Sequence, residues 1–157
     1  MPPFEPIPQP PRPPVPPFLT PTAAYALFYN NSATGATYAA GENIAYQSTL
    51  YNTATADIVN NNGLITLSGG TTGKAYLVNY QVTGETANDA TLALAINGTV
   101  DSNSEIIPNS ATGTSNGSYI VNVPANSTST VALRVVSGTV TTASPTVGSY
   151  LSVIRIA

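Results

Sequence analysis

Prolines crowd one end of this chain. Of its 14, only Pro108, Pro124 and Pro145 fall outside the run Pro2 to Pro21, PPFEPIPQPPRPPVPPFLTP. Each proline ring fixes φ, removes an N–H and biases the preceding residue away from helical geometry. Such a stretch is neither a helix nor a central strand. It reads as an extended polyproline II rod, and at ~3.1 Å per residue it spans on the order of 60 Å.

A spacer needs only polar residues, yet this one carries Phe4, Ile7, Val15, Phe18 and Leu19. Phe4 and Ile7 are three apart, as are Val15 and Phe18, and a three-residue turn sets each pair on one edge of the rod. A stiff strand with an apolar edge is suited to docking in a groove, because a pre-extended ligand loses little conformational entropy on binding. The competing reading is a free tail, the usual state of Pro-rich termini. We take residues 1–22 as a connector and residues 23–157 as a head of one domain, long enough to bury a real core.

Composition narrows what the head can do. Only 7% of residues are charged against 42% apolar, with Thr, Ser, Asn, Gly and Ala making up the difference. Soluble monomers carry about a quarter charged residues, so this surface is suited to burial against copies of itself. A net charge of −3 leaves no basic patch for phosphates, which argues against nucleic acid and anionic membranes as partners. No apolar run approaches the ~18 residues of a membrane span, and no basic region followed by an apolar one marks a Sec leader. Cysteine and histidine are both absent, so disulfides and the commonest general base and metal ligand are missing.

Beyond Pro21 the pattern has period two. Tyr25, Leu27 and Tyr29 alternate with Ala24, Ala26 and Phe28; Ile44, Tyr46 and Leu50 mark short strands; Leu64 to Leu67 forms another. Tyr76, Val78, Tyr80 and Val82 alternate with Leu77, Asn79 and Gln81 in what reads as a central strand. Leu92, Leu94 and Ile96 follow, then Tyr119 to Val123, Val131 to Val136 and Tyr150 to Ile156. Asn60-Asn61-Asn62-Gly63 is a strong turn, and Asn97-Gly98 a hairpin turn that wants φ > 0. No window shows a 3.6 period. Eight to ten short strands without helices give an all-β antiparallel jelly-roll sandwich. Tyrosine is enriched where a ring is buried and its hydroxyl stays wet, so Tyr76, Tyr80 and Tyr150 are the expected contacts between subunits.

Sites of other kinds are weak. Asp101-Ser102-Asn103-Ser104-Glu105 places oxygens at alternate positions, as a calcium loop begins, but lacks the glycine and distant Glu of an EF-hand. Glu42, Asp57, Glu85 and Asp89 are the acids available for pairing, and Glu85 and Asp89 read as a solvated loop. Asn30-Asn31-Ser32, Asn97-Gly98-Thr99, Asn116-Gly117-Ser118 and Asn126-Ser127-Thr128 match the glycosylation pattern, as chance allows in such a composition. Pro8 to Arg12 has the form of a PxxP ligand. No nucleophile has a base beside it, so neither an enzyme nor a cofactor is expected.

In order and local phrasing, several stretches resemble a known family. They are Ala24-Tyr25-Ala26-Leu27-Phe28, Ile65 to Val82 with Thr72-Gly73 leading into Tyr76, Leu92 to Gly98, Val131 to Gly138, and the closing Ser149 to Ile156. Together they resemble the trimeric jelly roll of the complement and tumour-necrosis-factor type, in particular the heads of BclA-type collagen-like glycoproteins on bacterial spores. The Gly-X-Y stalk of that family is missing and the Pro-rich lead stands in its place, which is similar to F-type endospore appendage subunits. That resemblance implies a homotrimer on the spore surface, or exosporium, stacked head-to-tail into a fibre. Phe4 and Ile7 would anchor in the next trimer, Pro10 to Pro17 would be the spacer, and Phe18 to Thr22 would lead into the parent head. It also implies an anchoring protein and a collagen-like tip protein as partners. The alternative is a trimeric adhesin or carbohydrate-binding head.

Overall fold

The structure, a computed structural model, describes residues 24–31, 35–108, 114–142 and 149–157, with the backbone alone at 85–88. The arm anchors Phe4, Ile7, Val15, Phe18 and Leu19 therefore lie outside the described residues. Ten strands follow one another: β1 (Tyr25–Tyr29), β2 (Thr37–Ala39), β3 (Ser48–Asn52), β4 (Ile58–Asn61), β5 (Leu64–Ser68), β6 (Lys74–Ile96), β7 (Thr99–Val100), β8 (Thr114–Val123), β9 (Thr128–Thr142) and β10 (Tyr150–Arg155). One short 3-10 turn, Ser102–Ser104, interrupts them.

All pairing is antiparallel and falls into two layers. In the first, the order is β3-β1-β10-β6-β8; in the second, β6 pairs β9 and β7, and β9 also carries β5 with β4 along its lower half and β2 along its upper half. β6 belongs to both layers. Its residues up to Thr83 pair β8, with Thr83 opposite Thr114, and from Gly84 onward it pairs β9, with Gly84 opposite Thr142. The strand thus climbs one layer, bends over the top and descends the other. This corrects the loop expected at Glu85 and Asp89: the ladder shifts register between Gly84 and Thr86 and again between Asn88 and Leu92, but the strand runs through. Asp89, at φ +48, takes the left-handed conformation that Asp tolerates better than most residues.

The expected turn at Asn60 to Gly63 and the hairpin at Asn97-Gly98 are both present. Asn62 and Gly63 sit at φ +50 and +95, and Asn97 and Gly98 at +50 and +81, the double positive φ of a type I′ turn. Gly63 has a second reason to be glycine. A Cβ there would overlap the Ile44 carbonyl oxygen and lie 3.1 Å from the Tyr46 N.

The core lies between the layers. Ala26, Phe28, Val78, Leu151 and Val153 face it from the first, and Ile65, Leu67, Leu92, Leu94, Val131, Leu133 and Val135 from the second. Ile44 and Tyr46, expected to mark short strands, are fully buried but lie outside any strand, between β2 and β3, whereas Leu50 of β3 is exposed at the sheet edge.

Candidate self-association surface

Hydrogen-bonded register aligns side chains across a sheet, since alternate residues share a face. On the outward face of the first layer, Tyr25 of β1, Ile154 of β10, Leu77 of β6 and Ile120 of β8 are consecutive partners. The next row on that face is Tyr51, Leu27, Ser152, Asn79 and Ser118, and the one beyond is Tyr29, Tyr150, Gln81 and Asn116. None of these residues carries a charge. Ile120 and Tyr51 are 52% and 56% exposed. In the middle row, Ser118 Oγ donates to Asn79 Oδ1 at 2.7 Å and Asn79 Nδ2 donates to Ser152 Oγ at 3.2 Å. A face with no ion, one apolar row and an amide–hydroxyl set already bonded within itself can be desolvated at lower cost than a charged one.

Tyrosine placement overturns part of the sequence reading. Tyr76 and Tyr80 are 0% and 2% exposed and point into the chain's own core, so they offer no surface to another subunit. Their hydroxyls reach the rim of the sandwich, where Tyr76 Oη donates to the Ser68 carbonyl and Tyr80 Oη to the Ser104 carbonyl, each at 2.6 Å. Burial pushes the Tyr76 phenol up to about 12, with the Asp57 carboxylate adding to the effect. Tyr150 does lie on the outward face, with Tyr25, Tyr29 and Tyr51, which the sequence reading did not single out. The parity of Asn79 and Gln81 was the available signal: amides on that side of β6 put the 76/78/80 face inward.

One end of the head gathers the ends of the first-layer strands. Ala24, where the arm joins, accepts from Arg155 N at 2.9 Å; Ile156 N donates to the Ala75 carbonyl at 2.8 Å and Ala75 N to Ala157 O at 3.0 Å. Asp57 sits here between two cations, with Lys74 Nζ 2.7 Å from Oδ1 and Arg155 Nη1 3.2 Å from Oδ2. Asp57 is thus an ionic tie between three chain segments rather than half of an acid–base pair.

Asp101 is likewise consumed internally. Its Oδ1 accepts from Asn103 N at 2.9 Å and from Asn103 Nδ2 at 3.0 Å, capping the 3-10 turn, and its Oδ2 accepts from the Tyr119 hydroxyl. The Tyr119 bond, then those from Asn103, hold the Asp101 carboxyl below the ordinary aspartate value. Ser104 completes the plug by accepting from Leu94 N at 2.8 Å. Of the oxygens that suggested a calcium loop, those of Asp101 are thus taken up by Asn103 and Tyr119. Among the described residues no three His, Cys, Asp or Glu side chains gather where an ion could be held.

This architecture is the jelly roll of the tumour necrosis factor and complement C1q type. The chain is similar to the TNF Eiger from S. frugiperda, with TM-score 0.60 and 12% identity over 85% of this chain and 92% of that one. It is similar also to the globular domain of zebrafish complement 1qA, with TM-score 0.56 and 11% identity over 85% and 98%, respectively. Against the PRD1 vertex protein P5 the TM-score is 0.56, with 13% identity over 85% and 97%. No protein-family model matches the sequence, nor does any curated protein.

Proposed function

We propose that this chain is a structural, self-assembling subunit whose heads associate as homotrimers and whose arms string the trimers into a fibre. The observation that carries the reading is the outward face of the first layer, with its rows of Tyr, Leu and Ile and no charge. The fold it shares with the TNF and complement 1qA heads supports a compact oligomer, and the uncharged face is where we place its contacts. Open head-to-tail contacts that do not close generate filaments, and three arms acting together bind far more tightly than one. In this reading Phe4 and Ile7 enter the neighbouring trimer across the Pro10 to Pro17 spacer. The fibre is a spore appendage on the extracellular surface, joined to an anchoring protein and a collagen-like tip protein. No helix among the described residues is long and apolar enough to cross a membrane.

Deleting residues 1–17 should leave folded trimers that form no fibres in negative-stain micrographs; fibres from that truncation refute the arm's role. Ile120→Asp in the full chain should keep the fold, since an exposed substitution costs within about 0.5 kcal/mol, while abolishing the trimer in sedimentation velocity. A trimer that survives Ile120→Asp unchanged refutes the choice of face. The adhesin reading draws on the likeness to a viral vertex protein, and it requires discrete trimers at high concentration and a ligand on a glycan array.

A further inference from the structure

We infer that the half of the arm next to the head lies back across the end of its own subunit, with Phe18 and Leu19 seated in an apolar recess between β6, β8 and the C-terminus. The recess, about 320 Å³, is formed by Gly73, Ala75, Val123, Pro124 and Ala157, with the Lys74 stem beside it. It exists because Gly73, at φ +82, and Ala75 present almost no side chain where Lys74 and Val123 pair across the strands.

Reach selects the occupant. The arm leaves at Ala24, just before β1, and the far side of the recess, on β8, lies three strand positions away in the order β1-β10-β6-β8. At ~4.8 Å per strand that is roughly 14 Å. Phe18 stands six residues before Ala24, and at ~3.1 Å per residue it reaches about 19 Å. It can cross its own head's end but not the length of a neighbour. Phe4, with some 60 Å of rod, is the residue that can leave.

Next to Ala24 lies a second recess, of about 480 Å³, where Ala24, Tyr25, Thr53 and Ala54 meet the charged pair Asp57 and Arg155. On the way to β6 and β8, Thr20-Pro21-Thr22 is the part of the arm that would pass over its Arg155 edge. Beyond Arg155 the lining turns apolar, where Phe18 and Leu19 arrive. The arm is thereby divided: its proximal anchors fix the angle at which it leaves the head, and its distal anchors remain for another assembly. This inference concerns one subunit's own end, and it stands or falls apart from fibre formation.

The chain has no tryptophan, so Phe18→Trp in the full-length protein places a single reporter in the proximal arm and Phe4→Trp one in the distal arm. In dilute, unassembled protein the Phe18→Trp indole should emit at shorter wavelength than the Phe4→Trp indole and be quenched several-fold less by acrylamide. Adding Pro124→Asp, at an exposed position, should remove that protection without moving the melting temperature of the head. The inference is overturned if both indoles are quenched alike in dilute protein, if protection at position 18 appears only as concentration rises, or if Pro124→Asp leaves it intact. Protection of the Phe4→Trp indole on assembly reports separately on the fibre.

Discussion

Gly117→Ala tests the packing of the first layer at one atom. Gly117 of β8 lies opposite Tyr80 of β6, and the tyrosine ring crosses directly over its Cα. A Cβ at Gly117 would lie 2.5 Å from Tyr80 Cζ and 2.6 Å from Cε2, with the hydroxyl oxygen nearer still. The ring must move, yet it is 2% exposed and its hydroxyl is bonded to the Ser104 carbonyl. Overpacking of this kind costs about 1–3 kcal/mol, and loosening a buried hydrogen bond adds about 1 kcal/mol. Elsewhere in a strand, Ala in place of Gly at a compatible backbone stabilises by about 0.5–1 kcal/mol, so the sign of the effect is itself informative. We expect a loss of about 2–4 kcal/mol in urea unfolding. Thermal melting at matched protomer concentration should fall on the order of 10 °C, since association makes melting concentration-dependent. In a Tyr80→Ala background the same Gly117→Ala change should be neutral or stabilising, because the ring it strikes is gone. An equal cost in both backgrounds, or a stabilised single variant, refutes the reasoning.

Three further outcomes follow from particular side chains. Tyr46 is fully buried and its hydroxyl has no hydrogen-bond partner, so Tyr46→Phe should be neutral or raise stability by up to about 1–3 kcal/mol in urea unfolding. Asp57→Asn should cost about 1–3 kcal/mol, between the values for exposed and buried pairs, because it leaves Lys74 and Arg155 facing each other without their anion. The deficit should shrink in concentrated salt, which screens the native pairs. Asp101 is held below its ordinary 3.8 by the Tyr119 hydroxyl, then by Asn103. A depressed acid contributes stability fully present above that value and lost as pH falls through the lower folded one. Stability of the Asp101→Asn variant should therefore depend less on pH below about 3.8 than that of the parent, in urea titrations at stepped pH.

Turn chemistry was the most legible part of this sequence. Asn62-Gly63 and Asn97-Gly98 announce themselves because few other residues tolerate two successive positive φ values, and period-two alternation located β5 and β6 beside them but not the short β4 and β7. β6 was harder. Gly84 and Asp89 interrupt its alternation as they would in a loop, and a sequence does not distinguish a strand that bends through two register shifts from two strands with a connection between them. Which face of an alternating strand turns inward was harder still where both faces are apolar. In β1, the small Ala26 with Phe28 fills the core while Tyr25, Leu27 and Tyr29 face out, the reverse of what ring size suggests.

That inversion separates stability from association. Tyr76 and Tyr80 bond to carbonyls of their own chain, so the head closes its sandwich with its own tyrosines and needs no partner to satisfy them. The outward rows contribute little to that closure, since Ile120, Tyr25 and Tyr51 stand in solvent on a single head. Disturbing Tyr80 should therefore lower unfolding free energy by the same amount at every protein concentration at which the oligomeric state is unchanged. Disturbing Ile120 should leave the dilute head intact and show its cost only as concentration rises through the range where the proposed trimer would form. A melting curve of Ile120→Asp displaced even in the most dilute sample would place that side chain in the core's service and withdraw the face from the interface.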